Sequence, residues 1–164
     1  MTVKTFPLAV SLLLLAAGGT AFCGAPSTPV APMEHEHKMV QMPENVLLPT
    51  LDLKLTRDKK SGFNLEIVTS NFELEPPERG GFHPPHILEG HAHIFINGKK
   101  IYRAYGRFMH LPAELFSPGI NQVMVSLNDH DHNTWSKGNR MVMTTLVIDT
   151  TKQDFLQHRF AVFQ

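Results

Sequence analysis

Cysteine is almost missing from this chain of 164 residues, with Cys23 the only one. If the residues before Gly24 are removed, the remainder can form no disulfide and offers no thiolate to a metal. A blue-copper electron-transfer site, which requires a cysteine ligand, is excluded with them. An excess of one charge is also missing. Lys and Arg balance Asp and Glu at 15 each, with no basic run, so nothing marks a nucleic-acid partner. Internal repeats, heptads and glycine-rich nucleotide fingerprints are absent as well.

Long hydrophobic runs are limited to residues 6–17, too short to span a bilayer. Lys4 is the only charge before Glu34, and Ala21-Phe22-Cys23 before Gly24 supplies the small residues of a cleavage site. Residues 1–23 therefore read as an export signal, and the mature chain as periplasmic or secreted without a membrane span. Phe22 is bulky where lipoprotein processing needs a small side chain, which favours ordinary secretion over a lipid anchor on Cys23.

Residues 24–49 contain Pro26, Pro29, Pro32, Pro43 and Pro49 and few large apolar side chains before Val46. Such a segment buries too little to offset the cost of ordering its backbone, so a flexible arm is expected there. A single folded domain is expected over residues 50–164.

In that domain the hydrophobic period is two. Leu51, Leu53 and Leu55 alternate with Asp52, Lys54 and Thr56, and Phe63, Leu65 and Ile67 with Asn64, Glu66 and Val68. Residues 57–62 form a polar connection ending in Gly62, and residues 75–89 a long Pro/Gly-rich loop. Strands are expected at residues 91–96, 101–105, 122–127 and 140–149, with Asn97-Gly98 a strong hairpin signal between the first two. Residues 152–164 fit neither a strand nor a helix period cleanly. Six or seven short strands with turn signals between them imply an all-β, antiparallel β-sandwich of immunoglobulin-like kind.

The ten histidines are clustered. In Gly90-His91-Ala92-His93 the two rings are two residues apart on a strand, so they share one face and can ligate one ion, while Ala92, Ile94 and Ile96 face a core. An isolated pair of this kind is more often the polar side of an edge strand. Here His110 follows the return strand where the chain turns, and Asn128-Asp129-His130-Asp131-His132 ends another strand. Three segments can thus converge at one pole of a sandwich, the usual place for a site. Asp129 and Asp131 can ligate or can accept a ring N–H from a ligand histidine, although the pentapeptide also suits a plain polar turn.

The arm adds Met33-Glu34-His35-Glu36-His37-Lys38-Met39-Val40-Gln41-Met42. His35, His37 and Met39 there combine imidazole with thioether, a pairing that suits Cu(I), although incidental residues in a solvated linker would look the same. His83 and His86 can lid a site but more simply belong to a surface loop, and His158 reads as surface. Met124, Met141 and Met143 read as core fillers, whereas Met109 is singled out by its neighbour His110.

The ordered set Gly90-His91-Ala92-His93, Asn97-Gly98, Tyr105-Gly106, His110-Leu111-Pro112 and Leu127-Asn128 with Asp131-His132 resembles small exported bacterial domains, mostly uncharacterised. The resemblance spans about residues 50–149 and implies an immunoglobulin-like or cupredoxin-like fold with a role in copper handling. It carries over His91, His93, His110 and His132, with His130 extra. The expected function is that of a copper carrier, chaperone or buffer, with zinc as the alternative ion and a copper-transfer protein of the envelope as a possible partner. Two other readings stand beside it, a metalloenzyme and an envelope interaction domain without metal. The His-x-His strand is similar to that of copper–zinc superoxide dismutases, but their cysteine pair is lacking and the other ligand spacing departs.

Overall fold

The structure, a computed structural model, describes residues 38–81 and 84–162. These form twelve strands and two short 3-10 turns. The order is β1 (Met39–Gln41), β2 (Thr50–Arg57), β3 (Phe63–Ser70), β4 (Phe72–Leu74), β5 (Leu88–Ile96), β6 (Lys99–Ala104), β7 (Phe108–Leu111), β8 (Ile120–Asn128), β9 (Thr134–Lys137), β10 (Arg140–Met141), β11 (Met143–Asp149) and β12 (Leu156–Ala161).

The strands make a three-stranded sheet, β2-β3-β7, and a larger sheet in which β8 lies between β5 and β11. The sheets pack as a sandwich, and its core comes from the alternation visible in the sequence. Leu51, Leu53, Phe63, Leu65, Ile67 and Leu111 face it from the smaller sheet. Ala92, Ile94, Val123, Val125, Leu127, Leu146 and Ile148 face it from the larger one. The last seven are completely buried, each contributing up to about 1.5–3 kcal/mol for the larger aliphatic side chains.

The Asn97-Gly98 turn behaves as its residues dictate. Both take positive φ, 51° and 80°, which suits a two-residue connection between twisted antiparallel strands. The open segment after residue 151 resolves into β12, which pairs antiparallel with β11.

Two expectations are corrected. The sheets are not wholly antiparallel: β4 runs parallel to β5, and β1 parallel to β9. Parallel neighbours need a long crossover, and the Pro/Gly-rich stretch between β4 and β5 supplies it. The folded body also takes in part of the segment expected to be a free arm. Met39–Gln41 pairs with Thr134 to Ser136, and Met42 and Val46 pack against the core. Short apolar residues gain enough there from backbone pairing and partial burial. Residues 1–37, including the expected signal and His35 and His37, lie outside the described residues, as do Phe82, His83, Phe163 and Gln164. Among the described residues no helix is long and apolar enough to cross a membrane.

Candidate metal centre

Strand β5 is buried on both faces. Its even-numbered side chains enter the core, and the opposite face carries His91, 0% exposed, and His93, 1% exposed. The period of two therefore puts both rings side by side, but in the protein interior rather than on a wet edge. Gly90 makes this strand possible. Its φ is 147°, and a Cβ there would lie 2.0 Å from the carbonyl oxygen of Asn128. Only glycine lets β5 approach β8 so closely before the histidines.

The third ring comes from the loop after β8. His132 has φ 70°, a conformation costly for a residue with a Cβ and kept only where neighbours enforce it. Here Asp129 N–H donates to Asn133 O at 2.9 Å, and His132 N–H donates to Asp129 O at 3.1 Å. Asn133 N–H donates to the Asp129 carboxylate at 2.7 Å. Asn128 completes the loop from below. Its amide donates to His132 O at 3.2 Å and to Thr134 Oγ1 at 3.0 Å, while its Oδ1 accepts from Ser126 Oγ at 2.8 Å. Asn128 itself is 0% exposed.

The result is a triangle of imidazole nitrogens. His91 Nε2 is 2.9 Å from His93 Nε2 and 2.9 Å from His132 Nδ1, and His93 Nε2 is 3.4 Å from His132 Nδ1. This group can hold a metal ion. A circle through these three nitrogens has a radius of about 1.8 Å, less than a metal–imidazole bond of about 2.0–2.1 Å. His91, His93 and His132 would together hold one ion through these nitrogens. Among the described residues, no hydrogen-bond partner reaches the buried Nδ1 of His91.

Burial also sets the charge state. It is the main cause that pushes His91 down to about 4, helped by His132, Arg103 and His130 and opposed by Asp129. Burial likewise pushes His93 down to about 3, followed by His91, Lys100, His132 and Arg103. His132 is lowered by burial, then by Arg103 and Lys100, with Asp129 and Asp131 opposing. At neutral pH the rings are uncharged with lone pairs available, the form that binds metal. Arg103 sits opposite His93 in the β5–β6 register, so a cation flanks the triad. The Tyr105 ring centroid lies 5.3 Å from that of His91.

Not every sequence candidate joins this cluster. His110 does not: β7 continues as the third strand of the smaller sheet instead of turning toward the pole, and His110 lies opposite Asn64. Its Nδ1 is 3.1 Å from Asn64 Oδ1, at the exposed surface. His130 stands next to the triad but faces Glu89, with Nε2 3.6 Å from Oε1. The Glu89 carboxylate in turn accepts from Gly81 N–H at 2.7 and 2.8 Å. Met39, on β1, is 48% exposed and outside the triad. Asp129 holds the loop backbone rather than a ring N–H, and Asp131 is exposed. His86 and His158 are exposed, as expected of surface residues. Asn128, Ser126 and Thr134 were not expected to matter beyond the Leu127-Asn128 step. Ser126 and Asn128, two apart at the end of β8, and Thr134 at the start of β9 were the available signal for them.

The fold and the site define an all-β sandwich with a histidine triad able to bind a metal. No protein-family model matches the chain, and comparisons with curated proteins and with solved structures find no match.

Proposed function

We propose that this is an exported periplasmic protein that binds copper through His91, His93 and His132 and acts as a carrier, chaperone or buffer. The observation that carries this reading is the triangle of three neutral imidazole nitrogens, two of its rings buried, closed by a loop held in a strained conformation. Burying His91 and His93 against each other has a cost that an ion shared with His132 offsets. Copper is favoured over zinc by the thioethers of the residue 33–42 tract, five residues of which lie outside the described structure. The expected export signal supports the periplasmic address, and a copper-transfer protein of the envelope is the natural partner for a carrier.

Arg103 beside the triad favours a second reading, a metalloenzyme in which this cation would draw a small anion toward the site. A redox-cycling assay on the copper-loaded protein separates it from the carrier.

The primary test is the metal content of protein purified from the periplasm, followed by titration with copper and with zinc. One equivalent should bind at the triad, be lost in H91A/H93A and persist in H110A. Equal affinity in H91A/H93A overturns the site. Because β1 belongs to the folded body, the arm's contribution is best tested by removing residues 24–37 only.

A further inference from the structure

The side of the larger sheet that carries the triad holds another group of soft ligands. Positions on the outer face of a sandwich are ordinarily polar. Yet Met124 of β8, Met141 of β10 and Met143 of β11 line one pocket of about 200 Å³ together with Phe95, Ser126 and Thr134. These methionines are not core fillers. Val123, Val125, Val142 and Thr144, their sequence neighbours, are the buried residues, and the methionines packed against the core are Met42 and Met109. Met124, Met141 and Met143 are half-buried, with an open pocket before them.

Strand register links this pocket to the triad. Ser126 lies opposite His93 on one side and opposite Met143 on the other, and Met124 lies opposite Phe95. Paired residues share a face, so His93 and Met143 stand on the same side, two strand spacings or about 10 Å apart. Met141 reaches the same place from β10, opposite Ser136.

We propose that Met124, Met141 and Met143 form a second metal site, a thioether site for a soft monovalent cation, Cu(I). Neutral sulfur ligands from three strands suit that ion and are poor ligands for hard divalent ions. Neutral imidazoles accept zinc or Cu(II) as well. The two sites on one face thereby differ in selectivity, the thioether pocket alone being restricted to the soft monovalent ion. The identity of the cellular ion rests on the copper reading above, whereas the site itself rests on the pocket.

The test uses the full mature chain labelled with 13C at the methionine methyls and titrated with Ag(I), a redox-inert soft cation, and separately with Zn(II). Ag(I) should move the methyl resonances of Met124, Met141 and Met143 together. M124L/M141L/M143L, which nearly conserves volume, should bind one equivalent of Ag(I) fewer and still take Zn(II). H91A/H93A should lose Zn(II) and keep the three shifts. If the triple variant folds poorly, M143L alone should weaken the Ag(I)-dependent shifts of Met124 and Met141. The proposal is overturned if those three resonances stay still while the methyls of Met33 and Met39 move, or if the triple variant binds as many equivalents. Wild-type protein that binds neither Zn(II) nor Cu(II) yet shows the three shifts would sink the triad reading and leave this one standing.

Discussion

Acidifying the metal-free protein should destabilise it well above the pH at which its own buried rings take up protons. An unfolded histidine titrates near 6.5, whereas folded His91 and His93 are pushed down to about 4 and about 3, mainly by burial. Both states hold neutral rings above pH 6.5, so the two residues leave stability independent of pH there. Below 6.5 the unfolded state binds the additional protons, and stability falls with pH until the folded rings titrate too. Each ring contributes up to about 1.4 kcal/mol per pH unit, hence about 2 kcal/mol between pH 6.5 and 5, or about 4 for the pair. Set against a typical total of about 5–15 kcal/mol, this is a large fraction. Urea denaturation at pH 7, 6 and 5 with a chelator present measures it. H91Q/H93Q, which keeps polar side chains but cannot titrate, should lose most of the slope whatever its absolute stability. The same pH dependence in wild type and variant, or a flat wild-type profile, would refute the assignment of these rings as buried and neutral.

Gly90→Ala should destabilise the fold by about 3 kcal/mol or more and abolish binding at the triad, because its Cβ meets the Asn128 carbonyl at 2.0 Å. Chemical denaturation and zinc titration check this, and a neutral outcome would show that β5 and β8 can separate freely. Asn128→Ala removes the amide that holds His132 O and Thr134 Oγ1. It should cost about 1–3 kcal/mol of stability and roughly 10–100-fold in zinc affinity, as losses of ligand-orienting partners do. Unchanged affinity in a competition titration would mean that the loop positions His132 without it.

Much of the architecture is local and so can be read in the chain. Alternation sends Leu51, Leu53, Phe63, Leu65, Ile67, Ala92 and Ile94 into the core because successive side chains of a strand point to opposite faces. The same geometry places His91 beside His93, and Asn97-Gly98 turns because both residues tolerate positive φ. Which residue completes the site is a different kind of question. His110, His130 and His132 all follow strands, and nothing in their spacing ranks them.

The ranking is decided by non-local pairing. β7 joins β3 and carries His110 into the other sheet, while His130 meets Glu89. Asn128, Asp129 and Asn133 bend the loop so that His132 alone reaches the buried pair. Burial of the pair, which sets its charge, likewise depends on a loop closing over β5. The outward methionines need three strands in register before they share a pocket. By itself, then, the sequence determined an all-β chain and two histidines on one strand face, because those follow from backbone periodicity. The third histidine, the protonation state and the thioether face came from register and loop closure, which bring together residues separated by tens of positions.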